Sequence, residues 1–488
     1  MPETIIDAHA SVATPGQLRV PLCVDLDGTL VKSDTLIDSL LLLLRSRPLK
    51  CLALPGKVLA GKAAFKAYVT ANISLDVAHL PYNRKLLAYL HAEYASGREI
   101  YLATGADVRL AERVAEHLGI FAGVLGSDGA VNLTGSNKLD RLRASMAAEI
   151  FDYIGNALAD VPLLSHAAQP MVANPSAALR RKMRSLGIHP AQEFEDRANP
   201  IFAMFKAIRV HQWAKNALIC LPLLLSHRIT VDGVQAVLLA FCCFSLAASS
   251  MYILNDLFDM ESDRTHPQKQ LRPFASGDLS APLGFAVAAI FLGLALAGAR
   301  FLPAAFVGWL LLYLATTIAY TTYLKRIALV DVFVLSGLYT LRLLAGSAAT
   351  GTPISHWLAG FSVFLFLSLA IVKRFAELQN LRTSGAQPQN GRGYMLADIE
   401  QLRSFGTSSA SAAVVIFAIY ISGQDVQALY RNPSRLWLVV PLMILWLYRV
   451  WLLASRGDLD EDPVIFAMTD RMSLVLGAAV AVIVLLAI

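Results

Sequence analysis

Long apolar runs dominate the chain after residue 200, whereas residues before that point have mixed composition. The apolar stretches lie near 216–228, 233–254, 282–299, 301–321, 329–350, 355–372, 408–423, 434–454 and 472–488. Several of them approach the roughly 20 residues that an α-helix needs to cross a bilayer. A hydrophobic content of 56% with 16% charged residues is also high for a soluble protein. The pattern predicts an all-α polytopic membrane bundle of about nine transmembrane helices over residues 200–488.

The preceding part of the chain, residues 1–199, is long enough to form a domain of its own. The first 20 residues lack a basic-then-apolar signal pattern, so we expect this domain to stay in the cytoplasm. Counting spans from a cytoplasmic N-terminus places the loops 255–281, 322–328, 373–407 and 455–471 inside. Most lysines and arginines that flank the apolar stretches fall in these four loops, as the positive-inside rule predicts.

The net charge of +6 and a pI near 9.0 suit contact with anionic lipid head groups and phosphorylated substrates. Nucleic acid is the competing explanation, but the basic residues cluster in membrane-flanking loops, so we predict no nucleic-acid partner. Five cysteines show no metal-type spacing, and Cys220, Cys242 and Cys243 lie in apolar runs as expected for buried thiols.

Three aspartates, Asp256, Asp259 and Asp263, follow the second apolar stretch at spacings of three and four. On a helix this spacing places the carboxylates on one face, where like charges repel. Mg²⁺ is the natural guest, because it prefers oxygen ligands and is usually shared with substrate phosphates. Lys269 and Arg272 follow closely, as if to hold those phosphates. The alternative is a solvated acidic loop, but carboxylates beside a membrane span are costly and usually functional.

The run from Asn255 to Pro273 reads NDxxDxxxD followed by HPxKxxRP. It resembles the first aspartate-rich motif of the UbiA-type prenyltransferase superfamily, and its second half is closest to the decaprenyl-phosphate phosphoribosyltransferase branch. The resemblance covers roughly residues 200–488. The resemblance implies an integral protein of the bacterial inner (plasma) membrane. It also implies that the three aspartates, assisted by Asn255, hold Mg²⁺ and phosphoribosyl diphosphate. Lys269 and Arg272 would neutralise the diphosphate.

Two more clusters of basic residues lie next to apolar stretches. Residues 209–216, RVHQWAKN, resemble the RPxQWxKN of the phosphoribosyltransferase branch and contain Lys215; the alternative is a juxtamembrane anchor. Lys373 and Arg374 end the sixth apolar stretch, where they would bind an anionic lipid head group or only mark the cytoplasmic side. The resemblance implies that some of Lys215, Lys373 and Arg374 hold the phosphate of a polyprenyl phosphate.

The superfamily's second motif matches in position but departs in content. Tyr323, Lys325 and Arg326 precede Asp331 and Arg342, and all five are predicted to contact substrate. Asp331 and Arg342 lie inside an apolar run, so they should face the bundle interior. Many aromatic prenyltransferases keep a second aspartate four residues after the first, and here that position is Leu335. The absence of this second aspartate favours a donor other than a prenyl diphosphate.

In the N-terminal part, a short apolar strand ends in DxDGT, with Asp25, Asp27 and Gly28. The alternative is an ordinary turn after a strand. The motif resembles that of haloacid dehalogenase-like phosphatases, which implies an α/β Rossmann-like domain with a helical cap over about 35–95. In that family Asp25 would attack phosphorus, and Asp27 would protonate the leaving oxygen and then activate water. Both carboxylates would contact Mg²⁺.

The remaining motifs of that family follow in order. Thr104 ends a second strand and would hold a phosphoryl oxygen, and Lys138 fits the charge-neutralising lysine. Asn156 and Asp160 fit the last, metal-binding motif, but the first acidic position is an amide here. Because an amide brings no charge, Mg²⁺ affinity and phosphatase activity are open. Residues 180–200 are expected to form a linker or surface helix.

These features lead to three hypotheses. The first is a bifunctional membrane enzyme that transfers 5-phosphoribose from phosphoribosyl diphosphate to a polyprenyl phosphate and removes the 5-phosphate, towards polyprenylphosphoryl ribose or arabinose for cell-envelope glycans. The second is an aromatic prenyltransferase for quinone or haem synthesis. The third is a lipid-binding scaffold with two decayed active sites. Association of the chain with itself is left open.

Overall fold

The computed structural model describes residues 20–145, 150–227, 229–384, 393–459 and 462–488. The segment in which the sequence carries no signal pattern, residues 1–19, lies outside the described residues. The chain forms two compact units. One comprises Met1–Met204 with Asp256–Gly284, and the other comprises Phe205–Asn255 with Phe285–Ile488. The aspartate-rich segment therefore belongs to the same unit as the N-terminal domain.

The first unit is built on a parallel sheet of six strands in the order β3-β2-β1-β4-β5-β6. The strands are β1 (Leu22–Val24), β2 (Ile100–Asp107), β3 (Gly123–Ser127), β4 (Asp152–Gly155), β5 (Pro170–Ala173) and β6 (Gln192–Phe194). In register, Leu22 pairs with both Ile100 and Asp152, which puts β1 at the centre. Since all strands are parallel, their carboxyl ends meet at one edge, where α/β sheets bind ligands.

The helices of this domain are α1 (Thr35–Ser46), α2 (Leu54–Leu59), α3 (Lys62–Asn72), α4 (Arg84–Ala95), α5 (Val108–Leu118), α6 (Ser136–Ser145), α7 (Val161–Leu164) and α8 (Ala177–Ser185). Apolar cores lie on both faces of the sheet. Successive strand residues enter opposite cores: Val24 and Ile154 pack in one, Cys23 and Tyr153 in the other. This alternation is the two-residue period of a strand buried on both faces. The residues predicted to form a helical cap are α1–α4, with short 3-10 turns at Pro48–Ala53 and Val77–His79.

The end of the N-terminal domain differs from the sequence expectation. Residues 180–200 were predicted to form a linker or surface helix, whereas the structure places β6 there, paired with β5 through Val172 and Glu193. The surface-helix alternative is confirmed for residues 180–185, which belong to α8. The prediction is wrong at β6, because this strand has three residues and only Phe194 is buried. Such a short, polar edge strand carries no apolar alternation that a sequence pattern could show.

After β6, the described residues form helices joined by turns and loops. The helices are α9 (Pro200–Ile208), α10 (Leu221–Leu225), α11 (Val231–Phe258), α12 (Met260–Arg264), α13 (Ala281–Ala299), α14 (Ala304–Thr322), α15 (Val330–Thr350), α16 (His356–Ser384), α17 (Ile399–Ser422), α18 (Gln424–Gln427), α19 (Val439–Arg456), α20 (Pro463–Thr469) and α21 (Arg471–Ala487). Further 3-10 turns occur at Val210–Cys220, Leu324–Arg326, Leu396–Asp398 and Pro433–Leu438.

Among the described residues, seven helices are long and apolar enough to cross a membrane, and the bent pair α20–α21, with its 77° angle, makes up to eight. The expected number of about nine is too high because the first apolar stretch does not form a long helix. It divides between the 3-10 turn Val210–Cys220 and the five-residue α10, which contains Pro222. The predicted class, an all-α membrane bundle after an α/β domain, is confirmed.

Candidate active sites

Asp25 and Asp27 leave the carboxyl end of the central strand through a tight turn. Gly28 has φ +74°, a left-handed conformation that favours glycine. A Cβ on Gly28 would stand 1.9 Å from Nδ2 of Asn156, so a side chain there would displace the Asn156 amide. The turn and Asn156, which follows β4, are therefore in close contact. The DxDGT turn after β1 and the loop after β4 therefore lie side by side.

Lys138 links the buried charges of this site. Its Nζ donates to Asp25 Oδ1 at 2.9 Å, to Tyr153 Oη at 3.0 Å and to Asp160 Oδ1 at 3.4 Å. Burial alone would lower the pKa of Lys138, but the carboxylates of Asp25 and Asp160 outweigh it and the pKa is raised. Lys138 therefore stays charged beside the carboxylate that would attack phosphorus. Burial raises the pKa of Asp25 to about 6, with Lys138 opposing that rise.

Asp27 is held by the start of α1. The backbone N–H and the hydroxyl of Thr35 both donate to Asp27 Oδ1, at 2.8 Å and 2.7 Å. Burial raises the pKa of Asp27 to about 7, and the nearby Asp34 adds to the rise. A carboxyl group that keeps a proton near neutral pH suits general acid chemistry. Burial therefore raises the pKa of both aspartates, and the ammonium group of Lys138 opposes the rise at Asp25.

The structure also locates the other predicted residues of this site. Thr104 is fully buried in β2, and its Oγ1 accepts from the N–H of Ala106 at 3.0 Å. Asp160 Oδ2 accepts from the N–H groups of Asn156 and Ala157, both at 3.0 Å, while Oδ1 accepts from Tyr153 Oη at 2.8 Å. Asp160 therefore fixes the loop that carries Asn156, and its role as a metal ligand stays a prediction.

Sequence reasoning missed Lys66, which α3 of the cap brings to the same edge of the sheet. Its Nζ donates to the carbonyl of Gly105 at 2.6 Å and to Asn132 Oδ1 at 2.8 Å. Burial lowers the pKa of Lys66, and the nearby Asp27 and Asp34 oppose the shift. The available signal was weak, because Lys66 stands in a short run of otherwise apolar and small residues.

The aspartate-rich segment is not one continuous helix, contrary to the sequence expectation. α11 ends at Phe258, Asp259 lies in the break, and Asp263 belongs to α12. Asp256 and Asp263 still converge, because Nη1 of Arg272 donates to Asp256 Oδ1 at 3.1 Å and to Asp263 Oδ2 at 2.7 Å. Burial raises the pKa of Asp263, and Arg272 opposes that rise.

Helix α1 contacts this segment through charged side chains that the sequence analysis did not identify. Arg45 Nη1 lies 3.1 Å from Asp259 Oδ1 and donates to the carbonyl of Phe258 at 3.0 Å. Arg264 Nη2 lies 2.8 Å from Asp38 Oδ2, and both side chains are only 4% exposed. No sequence signal could pair these residues, since more than two hundred positions separate them.

Lys269 lies in a 3-10 turn, Lys269–Leu271, that follows the aspartates.

Mg²⁺ fits the residue types at both the DxDGT site and the aspartate-rich segment, since carboxylate and amide oxygens suit this ion. Among the described residues, no group of three or more His, Cys, Asp or Glu side chains forms a ready metal site. The metal ligands therefore stay predictions at both sites.

In the second unit, Asp462 joins two of the predicted lipid-binding lysines. Asp462 Oδ2 lies 2.8 Å from Lys215 Nζ and 2.9 Å from Lys373 Nζ, and Tyr339 Oη donates to Oδ1 at 3.4 Å. Lys215 also lies 5.7 Å from the centroid of the Tyr339 ring. The sequence analysis missed Asp462, which caps the start of α20 by accepting from the N–H of Val464.

Arg342 lies beside this cluster in the same unit and faces the interior, as predicted. Its Nε donates to Asn216 Oδ1 at 2.8 Å, and its guanidinium lies 5.0 Å from the Tyr313 ring and 5.6 Å from the Tyr339 ring. Lys215, Lys373 and Arg342 together bring more positive than negative charge to this region. Such an excess suits an anionic phosphate group.

Asp331 and Arg374 form a separate buried pair. Arg374 Nε donates to Asp331 Oδ2 at 2.5 Å, and Tyr394 Oη donates to Oδ1 of the same carboxylate. Arg374 Nη1 also binds Glu377 at 2.8 Å. These two predicted substrate residues therefore hold α15 and α16 together, and substrate contact by them stays a prediction.

The remaining predicted residues of the second unit lie near helix ends. Tyr323 is exposed after α14, Lys325 and Arg326 lie in the turn Leu324–Arg326, and Asn255 is half-buried in the last turns of α11. Leu335 is partly buried and packs against the core of α15, α16 and α19. An apolar environment there agrees with the missing second aspartate.

Comparison with known proteins gives a family for the membrane part. The model of the UbiA prenyltransferase family matches residues 217–476. An uncharacterized protein of Sinorhizobium fredii, y4nM, is 36% identical over 468 residues, which cover 95% of this chain and 90% of that protein. The decaprenyl-phosphate phosphoribosyltransferase of Mycobacterium tuberculosis is 33% identical over 291 residues, which cover 58% of this chain and 93% of that enzyme.

Among solved structures, a HAD family hydrolase of Salmonella enterica serovar Typhi is similar to the N-terminal region. The sequence identity is 18%, the alignment covers 33% of this chain and 66% of that chain, and the TM-score is 0.25. The similarity to y4nM extends over 95% of this chain, so both parts have counterparts in one other protein.

Proposed function

Because the chain belongs to the UbiA prenyltransferase family, we propose that it is a membrane transferase that moves 5-phosphoribose from phosphoribosyl diphosphate to a polyprenyl phosphate. We further propose that its N-terminal domain removes the 5-phosphate from the product. The observation that carries the first step is the 33% identity to a decaprenyl-phosphate phosphoribosyltransferase over 93% of that enzyme. The HPxKxxRP run, which contains Lys269 and Arg272, adds to it.

Donor binding is assigned to the aspartate-rich segment. Asp256, Asp259 and Asp263 would hold Mg²⁺, which when bound would neutralise the leaving diphosphate. Arg272 already bridges Asp256 and Asp263, so its guanidinium stands where a phosphate oxygen would need a donor. Asn255 would assist, and Lys269 would add charge to the same anion. Positioning and electrostatics supply most of the acceleration in such a transfer.

Acceptor binding is assigned to the second unit. Lys215 and Lys373 would hold the phosphate of the polyprenyl phosphate, and Asp462 would keep the two ammonium groups close together before the lipid arrives. One phosphate oxygen then attacks C1 of the ribose, and the bond from C1 to the diphosphate breaks. Lys325 and Arg326 would neutralise the departing diphosphate. Tyr323, Asp331, Arg342 and Arg374 complete the set of proposed substrate-contacting residues.

The phosphatase step uses the N-terminal domain. An oxygen of Asp25 attacks phosphorus, and the bond to the ribose 5-oxygen breaks while Asp27 gives that oxygen a proton. Asp27 then takes a proton from the water that hydrolyses the aspartyl phosphate. Lys138 neutralises Asp25 and the transferred phosphate, and Thr104 would hold a phosphoryl oxygen. The raised pKa of Asp27, about 7, supports its role as the proton donor.

The decisive experiment is mass spectrometry of lipids made by membranes that contain the full chain, phosphoribosyl diphosphate, a polyprenyl phosphate and Mg²⁺. Wild type should yield polyprenylphosphoryl ribose and release phosphate, whereas Asp25→Asn should accumulate the 5-phosphate lipid. No ribosylated lipid from either protein would refute the transferase. If both make only the phosphorylated lipid, the N-terminal domain is not this phosphatase.

A parallel reaction tests the competing donor. Prenyl diphosphate with an aromatic acceptor should give no product, because Leu335 replaces the second aspartate and packs in an apolar core. Product formation in this reaction would favour an aromatic prenyltransferase.

The same proposal includes the cellular role and location of the protein. The ribosylated lipid would serve the synthesis of cell-envelope glycans. The chain would lie in the bacterial inner membrane, with its N-terminal domain in the cytoplasm.

A further inference from the structure

One part of the cap exposes large aliphatic side chains. We name residues 48–62, which contain the 3-10 turn Pro48–Ala53 and helix α2, the cap tip. Leu49, Leu52, Val58 and Leu59 are 81%, 80%, 58% and 90% exposed. Single apolar residues at a surface are normal, but several in one short segment mark a binding surface. The cap tip thus has the composition of a contact surface for an apolar partner.

The charge around the cap tip has one sign only. Residues 39–75 contain six basic residues and no acidic residue. Three of them, Lys50, Lys57 and Lys62, lie in the cap tip and are exposed. Exposed leucines beside lysines are typical of segments that lie in a lipid interface. In such segments the leucine side chains enter the boundary of the acyl region, and the lysine ammonium groups reach anionic head groups.

The cap tip is folded rather than frayed, because α3 supports it. Tyr68 Oη donates to the carbonyl of Lys50 at 3.0 Å, and Lys57 Nζ lies 5.5 Å from the centroid of the Tyr68 ring. One aromatic side chain of α3 therefore contacts both halves of the cap tip. The exposed leucines are presented on a supported turn, which reduces the ordering cost of binding.

A bilayer is the partner that this surface fits. Among its described residues the same chain has seven helices long and apolar enough to span a membrane, so a bilayer that they cross would be linked covalently to this domain. An anionic leaflet complements both properties of the cap tip, its basic residues and its leucines. We propose that the cap tip inserts into the anionic cytoplasmic leaflet of the membrane in which the chain is anchored. A second copy of the chain could bury the exposed leucines, but its cap tip would not complement the uniform positive charge.

This insertion has a consequence for the phosphatase site. The cap tip ends at Lys62, where α3 begins, and one turn later Lys66 reaches Gly105 and Asn132 at the catalytic edge of the sheet. A lipid-bound cap tip would therefore bring the catalytic edge to substrates held in the leaflet. This consequence rests on the proposed function, whereas the insertion itself does not.

Hydroxyl-radical footprinting of the full chain in nanodiscs tests the insertion directly. Leu49, Leu52 and Leu59 should be protected at least fivefold in discs of phosphatidylcholine with phosphatidylglycerol, relative to discs of phosphatidylcholine alone. Leu186, an exposed leucine of the same domain outside the cap tip, serves as the internal control. Because each lysine near an anionic surface changes the equilibrium constant for docking about fivefold, Lys50→Gln and Lys57→Gln should each remove a large part of the protection.

Equal labelling of the three leucines in both kinds of disc would overturn the proposal. Protection that is independent of phosphatidylglycerol and appears only with two chains per disc would assign the surface to self-association instead. In the activity arm, Leu49→Asp/Leu52→Asp/Leu59→Asp should hydrolyse a soluble phosphomonoester like wild type and lose at least tenfold on the lipid-borne monoester. If wild type hydrolyses neither substrate, the phosphatase assignment fails while footprinting still decides the insertion.

Discussion

Removing the carboxylate of Asp38 should loosen the aspartate-rich segment from the N-terminal domain. Asp38 and Arg264 are 4% exposed and 2.8 Å apart, so Asp38→Ala would leave a buried guanidinium without its counter-charge. Breaking a buried pair in this way costs about 3–5 kcal/mol. Arg264 keeps hydrogen bonds to Ser33 Oγ at 3.2 Å and to the Ala275 carbonyl at 3.1 Å. We therefore expect the lower value, about 3 kcal/mol.

Amide hydrogen exchange measures this loss, because local opening exposes the amides of α12 without requiring global unfolding. About 3 kcal/mol corresponds to exchange that is about 150-fold faster. Asp38→Asn should show a smaller effect, since the amide oxygen still accepts from Arg264. The full chain, in detergent or nanodiscs, is suitable for the measurement.

A surface pair of the same domain provides the matched control. Arg180 and Glu193 lie 3.1 Å apart but are 36% and 37% exposed, so Glu193→Ala should cost about 0–1 kcal/mol. The double variant Asp38→Ala/Arg264→Ala should lose less than the sum of its single variants. Exchange in α12 that changes less than threefold in Asp38→Ala would refute the assignment of Arg264 as a buried charge that depends on Asp38.

Three further outcomes follow from the sites. Asp256→Ala should abolish ribosyl transfer in membrane assays while the chain still inserts and folds, because a ligand of the proposed Mg²⁺ site is lost; transfer near the wild-type rate would contradict this role. Asp462→Asn should raise KM for polyprenyl phosphate severalfold more than KM for phosphoribosyl diphosphate, since Lys215 and Lys373 lose the carboxylate that holds them; equal changes would argue for a purely structural carboxylate. In metal-free buffer, the N-terminal domain should become less stable as pH rises from 5 to 8. Burial raises the pKa values of Asp25 and Asp27 to about 6 and about 7, so ionising these groups in the folded state is costly. Asp27→Asn should flatten this pH dependence, and a stability that rises over the same range would contradict the assigned shifts.

Part of the arrangement at the N-terminal candidate site could be predicted from the sequence, because Asp25 and Asn156 follow strands β1 and β4. Asp25 and Lys138 are 113 positions apart, yet their side chains meet at 2.9 Å. Parallel strands bring their carboxyl ends to one edge, which accounts for the place of Asp25 after β1. Lys138 comes from helix α6, whose packing against that edge the motif order does not specify. The Asn156 amide against Gly28 follows from the same geometry.

Residues that depend on helix packing were not predictable in this way. Asp462 is a single acidic residue in a loop, and its two lysine partners come from distant elements. Arg45 and Arg264 read as ordinary basic residues, because a pattern of one helix does not specify which element packs against it. The break at Asp259 was also missed, since spacings of three and four are equally compatible with a continuous helix and with two short helical turns.

Helix α1 joins two chemical sites within one rigid element. Thr35 at its start donates two hydrogen bonds to Asp27, and Arg45 near its end contacts Asp259. Its 12 residues span about 18 Å, a length over which a helix moves as a body. Ligands at the two ends that both prefer the same position of α1 would raise each other's affinity by the same factor, as thermodynamic reciprocity requires. The proposed phosphatase site and the proposed binding site for the ribosyl donor would then be coupled through α1.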